Sequence, residues 1–459
     1  MDSLRYGLIS ALLILGTSDL IQAETYSVGP DQVLSHPGHV PWNDLNPGDV
    51  VEIHWRPEAY RYKWVMSRQG TADKPITVRG IRNAKGEAPV LDAARASKPS
   101  GLDYWSEARG VIKIGASSNS GDLPPAHIVL ENLNIQGAKP ENFFLGKDGL
   151  TEYAPNASAI YVESGNHITI RNCRLHDCGN GLFVAPASEE VLVEGCDIYD
   201  NGIEGSILEH NVYTESKGIV FQFNRLGPLR TGCRGNNLKD RSAGLIIRYN
   251  RIESGNRQLD LVDSQEGLDI RNDPRYHLAQ VYGNLLIEHE GIDNNQIVHF
   301  GGDSGDDEAN RRSLQFYNNT ILSTRTEKTV LFKLSTNRQS ADVWNNVIFT
   351  PSAGSTFAIL DEEGQVRLRG NFIKPGWRKS HGQLKGEIIA TGMIEGEDPG
   401  FANLAQDDYQ PSAKSALRDQ GVDAQPRSPA VEFEPPWLNR PGVKRPVTGR
   451  IDIGCYEGR

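Results

Sequence analysis

Between residues 210 and 333, acid, base and cation side chains recur in short segments that alternate with apolar residues. EHNVY carries His210 and Tyr213, NNLKDRS carries Lys239 and Arg241, RQLDLVDS carries Asp260 and Asp263, NQIVHFGG carries His299, and TVLFKLS carries Lys333. Their neighbours Val212, Leu238, Leu259, Leu261, Val298 and Leu334 sit at the alternate positions. A period of two is that of a half-buried strand, so the apolar set faces inward and the polar set outward on one common face. The residue types suit proton transfer to and from a substrate: His, Lys and Tyr move protons, and Arg or Lys neutralises an anion. A lysine held among other cations loses its proton more easily and serves as a base. Lys239, Arg241, Tyr213, His210, Asp260 and His299 are therefore the candidate catalytic groups, and Asn211, Asp263 and Lys333 candidate substrate contacts. Each also has a plainer reading. Lys239 and Arg241 would decorate a solvated face, Tyr213 would be a surface ring, the histidines would be satisfied structural residues, and Asp260 would pair with Lys239 as a surface ion pair of little energetic weight.

A second cluster lies in the glycine-rich stretch GGDSGDDEANRR (301–312), which holds Asp303, Asp306, Asp307 and Glu308. Asp303, Asp306 and Asp307 are candidate calcium ligands, though the spacing is not that of an EF-hand. The same acids are candidate glycosidase carboxylates, and the plainer reading is a solvated acidic loop.

What must position these residues is a repeat. ENLNIQG, RNCRLHDCG, EGCDIYDNG, FQFNRLG, RYNRIESG, VYGNLLIEH, FYNNTILST, VWNNVIFT and LRGNFIKPG align at Leu133, Cys173, Cys196, Asn224, Asn250, Asn284, Asn319, Asn346 and Asn371. The gaps run from 23 residues (Cys173 to Cys196) to 40 (Leu133 to Cys173). The short gaps fit one coil of a parallel β-helix, and the long ones a coil carrying an insertion. Asparagines stacked coil upon coil at a sharp bend would satisfy the backbone there, which explains a polar residue in a core slot. The fold predicted is all-β, a single-stranded right-handed parallel β-helix. A propeller or a leucine-rich repeat does not match the spacing. The organisation predicted is residues 24–95 as N-terminal cap and first coils, 96–395 as the main helix, and 396–459 as C-terminal coils and a proline-rich wrapping segment.

The remaining features set limits. The chain has 459 residues, 38% hydrophobic, with 47 glycines and a net charge of −11. That charge argues against nucleic acid as a partner. Residues 1–23 read as an export signal, with Arg5, an apolar run Leu8–Leu15 and a cleavage site ending at Ala23 after Ile21. The run is too short for a membrane span, and no other stretch approaches the roughly 20 apolar residues one requires. A secreted or periplasmic, monomeric protein is expected. The five cysteines are Cys173, Cys178, Cys196, Cys233 and Cys455. Cys173 and Cys196 share a ladder slot in adjacent coils and read as stacked buried thiols in preference to a disulfide. No phosphate-loop, HExxH or GxSxG motif is present.

The stretch NNLKDRSAGLIIRYNRIESGNRQLDLVDS (236–264) resembles the central coils of the polysaccharide lyase family that includes alginate lyases and chondroitinase B. The resemblance implies a β-helix enzyme in which a lysine acts as base, and Lys239 falls in that place. Asp240 stands where the family has serine, Val262 where it has a catalytic arginine, and Arg234 and Asn236 where it has calcium-binding acids. The acid role would then pass to Arg241 or Tyr213, and a calcium requirement is not carried over. The expectation is an exported lyase cleaving an anionic polysaccharide by β-elimination. The alternatives are a C5-epimerase with the same chemistry, a glycoside hydrolase using Asp260, Asp263 and Asp303, and a polysaccharide-binding or matrix protein without catalysis.

Overall fold

The computed structural model describes residues 22–458, apart from 120, 292, 426–427 and 437–441. Most of the predicted export signal lies outside the described residues. Strands of successive coils pair in parallel and form three columns along one solenoid. One column runs from Trp64–Met66 through Gly110–Ile114, Val212–Thr214, Leu238–Asp240, Leu259–Leu261, Gln296–Phe300 and Thr329–Leu334 to Phe357–Leu360. A second runs from Thr25–Val28 to Glu387–Thr391, and the long strands Ser158–Arg171 and Asn180–Glu194 belong to both. The third runs from Val90–Asp92 to Ile394–Glu395. This is the right-handed parallel β-helix expected from the repeat. Among the described residues no helix is long and apolar enough to cross a membrane.

The core follows from the alternation. Leu182, Val212, Leu238, Leu259 and Val298 are fully buried and stack inside the first column. The bend between the second and third columns shows why asparagine recurs. The residue before each ladder position adopts a left-handed conformation, including Asn132, Asn172, Gly195, Gly283, Asn318, Asn345 and Gly370. Glycine and asparagine bear that conformation at least cost. At each bend the ladder asparagine accepts from the backbone of the preceding rung: Asn224, Asn250, Asn284 and Asn319 donate N–H to the next Oδ1 at 2.9–3.0 Å. Its Nδ2 donates inward, as Asn284 does to Ile247 and Tyr282 carbonyls and to Asn319 Oδ1. Cys173 and Cys196 fill the same slot as free, buried thiols.

The C-terminal segment reaches further back than the last coils. Its hairpin Phe401–Asn403 with Asp408–Pro411 packs through Phe401 and Tyr409 with Leu285, Ile287, Leu322, Val347 and Phe372 along the third column. Val422, Val431 and Phe433 then cover an external row of rings, Tyr249, Tyr282, Tyr317 and Trp344.

Candidate functional site

The outward residues of the first column stand in strict register. Tyr161 opposes Phe183, then follow Tyr213, Lys239, Asp260, His299 and Lys333, one per coil. Parallel strands place such residues about 4.8 Å apart. The sequence-predicted column is thus one continuous line, and it changes character at Tyr213: rings on one side, ionisable groups on the other.

At the centre is Lys239. Its Nζ donates to Asp260 Oδ2 and Asp303 Oδ2, both at 2.7 Å. Arg241, two residues along the same strand edge and 3% exposed, grips the same Asp303 through two nitrogens, Nη1 to Oδ1 at 2.8 Å and Nη2 to Oδ2 at 2.9 Å. Its Nε donates to Tyr213 Oη at 2.9 Å. Burial opposes the charge of Arg241, but Asp303 and Tyr213 outweigh it and hold the guanidinium above its ordinary pKa. Burial pushes the Tyr213 phenol up while Arg241 pulls it down, and the net position is above the ordinary value, so the phenol is protonated. Burial also opposes ionisation of Asp260 and Asp303. Hydrogen bonds and charges from His299 and Lys239 on Asp260, and from Arg241 and Lys239 on Asp303, prevail and hold both carboxyls below the usual range.

His299 completes the line. Its Nδ1 is 2.7 Å from Asp260 Oδ1 and its Nε2 is 3.1 Å from Ser335 Oγ. Because Asp260 is ionised, Nδ1 donates to it, which fixes the ring and turns Nε2 toward Ser335 Oγ. Ser335 in turn binds the N–H and the carbonyl of Gly302, at 2.9 and 2.8 Å, and so stitches the acidic loop over His299. A side chain at Gly302 would strike Asn310 Oδ1, so only glycine lets the loop pass there.

Other predicted site residues turn out to build the scaffold. Asn211 is fully buried in a second, shorter asparagine ladder, accepting from Asn201 and donating to Asn237 at 3.0 Å each, so it cannot meet a substrate. Asp263 is buried and receives the backbone N–H groups of Asp303 and Ser304 and the Ser304 hydroxyl, which makes it an anchor of the loop. His210 lies beneath the site. Burial, with Lys239 nearby, lowers its pKa to about 3, and its Nδ1 accepts from Asn236 N–H, so it is a neutral structural residue. Lys333 ends the line half-exposed, 3.7 Å from Asp361. The three calcium candidates do not converge. Asp303 faces Lys239 and Arg241, Asp306 faces Arg271, and among the described residues no group of three acids, histidines or cysteines is placed to hold a metal.

Three features escaped the sequence reading. Tyr161 and Phe183 extend the line as rings, and Arg109 lies 4.7 Å from both ring centroids. The alternation in AIYVES and GLFVAP is the same as in HNVYTE and is the signal that marks both rings as outward-facing. Asp240 points inward and meets Arg311 Nη2 at 2.7 Å, both fully buried. Phe183 and Tyr213 stack at 4.9 Å, so their edges form an apolar floor. This floor belongs to a groove of about 500 Å³ that also includes Arg109, Leu208, Glu209, Glu215 and Glu266, and that meets the ionic cluster at Tyr213.

Fold and site together define a β-helix with an ionic cluster on one sheet face. Residues 127–321 match the family model described as the right handed beta helix region. No curated protein matches the sequence. Among solved structures, pectate lyase Pel9A aligns over 96% of this chain and 98% of its own, at 12% identity and a TM-score of 0.51. The alginate lyase from Paenibacillus sp. str. FPU-7 aligns over 81% of this chain and 99% of its own, at 12% identity and a TM-score of 0.45. The GH136 lacto-N-biosidase from Eubacterium ramulus aligns over 81% of this chain and 67% of its own, at 14% identity and a TM-score of 0.46. At these identities the likeness is one of fold.

Proposed function

We propose that the protein is an exported carbohydrate-active enzyme that cleaves a uronate-containing polysaccharide by β-elimination on the face that carries Lys239. One observation carries this reading: Arg241 and Lys239 together clasp a carboxylate, that of Asp303, with three short hydrogen bonds. A uronate carboxylate has the same shape and charge, and its neutralisation is what makes the adjacent proton acidic enough to remove. On binding it takes the place of Asp303, and the loop that Ser335 pins over His299 moves with it. His299, oriented by Asp260, takes the C5 proton at Nε2. The C5–H electrons form the C4–C5 double bond, the C4–O bond breaks, and the Tyr213 phenol protonates the departing oxygen. The base role moves from Lys239 to His299 because Lys239 Nζ is already engaged by two carboxylates, Asp260 and Asp303, at 2.7 Å each. The first strand, Thr25–Val28, begins two residues after Ala23, which is compatible with removal of the leader.

Hydrolysis is the second reading. Asp260 and Asp303 each bind Lys239 Nζ at 2.7 Å, so their nearest oxygens are at most twice that distance apart, and retaining glycosidases separate their carboxyls by about 5–5.5 Å. Both carboxyls are held ionised, however, so neither has a proton to give to a leaving group.

The test follows the carboxylate. Asp303→Ala should bind free glucuronate or galacturonate more tightly than the wild type, by about tenfold or more, as read by calorimetry. Ultraviolet absorbance of unsaturated products from acidic polysaccharides should appear with wild type and vanish with His299→Ala or Arg241→Ala. Unchanged uronate affinity in Asp303→Ala, or new reducing ends without absorbance, would sink elimination.

A further inference from the structure

We infer that the sugar next to the reacting uronate is uncharged, so that the substrate is a mixed polymer and not a homopolymer of uronates. The inference rests on the elimination reading only for the uronate itself. The groove that leads away from Tyr213 supplies the argument. Its floor is the edges of Tyr161, Phe183 and Tyr213, which suit the apolar C–H faces of a pyranose. Its lining holds three carboxylates, Glu209, Glu215 and Glu266, against one guanidinium, Arg109. Glu215 is committed to the fold: its Oε1 takes the Ser264 hydroxyl and the Gly267 N–H. Glu209 is not so committed. It is 4% exposed, and among the described residues its Oε2 has no hydrogen-bond partner. A buried carboxylate oxygen left without a donor costs free energy until one arrives. Sugar hydroxyls and acylamino N–H groups are donors, whereas a second uronate would bring another anion among three. Arg109 has a matching vacancy, a buried Nε without a partner among the described residues, which suits a hydroxyl or acyl oxygen. Carboxylate reception is thus confined to Arg241 and Lys239, and the groove beside them reads hydroxyls and apolar faces.

Affinity electrophoresis in native gels tests this, with three probes: polygalacturonate, hyaluronan and gellan. The last two join uronates to uncharged sugars. Wild type should be retarded by at least one mixed polymer at about tenfold lower concentration than by polygalacturonate. Phe183→Ala should lose that retardation. Glu266→Lys alters only an exposed side chain and should gain affinity for polygalacturonate several-fold. Equal or stronger retardation by polygalacturonate, no retardation by any probe, or indifference to both substitutions overturns the inference. The ultraviolet signal of unsaturated products separates the two proposals. Retardation by a mixed polymer without that signal defeats elimination and leaves the neutral subsite standing. Equal signal from polygalacturonate defeats the subsite and leaves elimination standing.

Discussion

Asp240 shows how near in sequence to the ionic cluster a purely structural residue can stand. It follows Lys239 directly, yet the strand turns it inward, where it accepts from Thr214, from Ser242 N–H and Oγ, and from Arg311. Arg311 also donates Nε to the Val262 carbonyl. The pair fastens the end of the acidic loop to the strand that carries Lys239 and Arg241. Removing one member of a buried pair strands the other charge, a loss of about 3–5 kcal/mol. Arg311→Leu should therefore destabilise the protein by about that amount in urea denaturation, and the double variant Asp240→Leu/Arg311→Leu should recover part of it. A cost for Arg311→Leu below about 1 kcal/mol would mean the pair does not fasten the loop. The sequence showed which residues line the face because alternation is local. It could not show that Asp263 and Asn211 turn inward or that Asp303 enters the cluster, because those facts depend on contacts between segments dozens of residues apart.

At the scale of the element, the ladder was legible and the groove was not. Asparagine in one slot of six successive coils leaves a mark that needs no structure to see. The second ladder joins Asn201 and Asn211, which flank one loop, to Asn237 of the next coil, and leaves none. The rungs are not equivalent. Asn284 receives the Asn250 N–H and Nδ2 and donates to two carbonyls and Asn319. Asn371, the last rung, receives the same two bonds from Asn346, but among the described residues its Nδ2 donates only to Val343 O and to Met393 Sδ, a weak acceptor. Each buried group left unpaired costs about 1–3 kcal/mol, so Asn284→Ala should lower the thermal midpoint well beyond Asn371→Ala. Equal midpoints for the two variants would show that the bends are held by strand pairing alone.

At the scale of the molecule, a solenoid must cover what its repeats leave open, and here the C-terminal segment covers its flanks. The sequence suggested a proline-rich wrap but not its path, since the four rings it covers come from four different coils. Tyr249, Tyr282, Tyr317 and Trp344 lie outside the helix and are nonetheless at most 1% exposed. They are buried because residues 422–425 and 428–433 lie along them: Tyr249 Oη accepts from Glu432 N–H, Tyr317 Oη donates to the Pro429 carbonyl, and Asn345 exchanges two hydrogen bonds with Val422. Beyond this stretch Arg445 and Glu457 form a buried pair, and Gly454 N–H bonds the Asn345 carbonyl, which fastens the chain end to the same coils. Rings exposed in a row make an apolar patch that a soluble protein hides. Truncation after Gly421 should therefore leave the coil ladders and their far-ultraviolet dichroism in place, lower the thermal midpoint, and raise binding of an apolar dye. An unchanged midpoint with no added dye binding would show that the rings are shielded by one another, their 4.8 and 4.3 Å stacking being enough, and that the C-terminal segment contributes nothing to the closure of this flank.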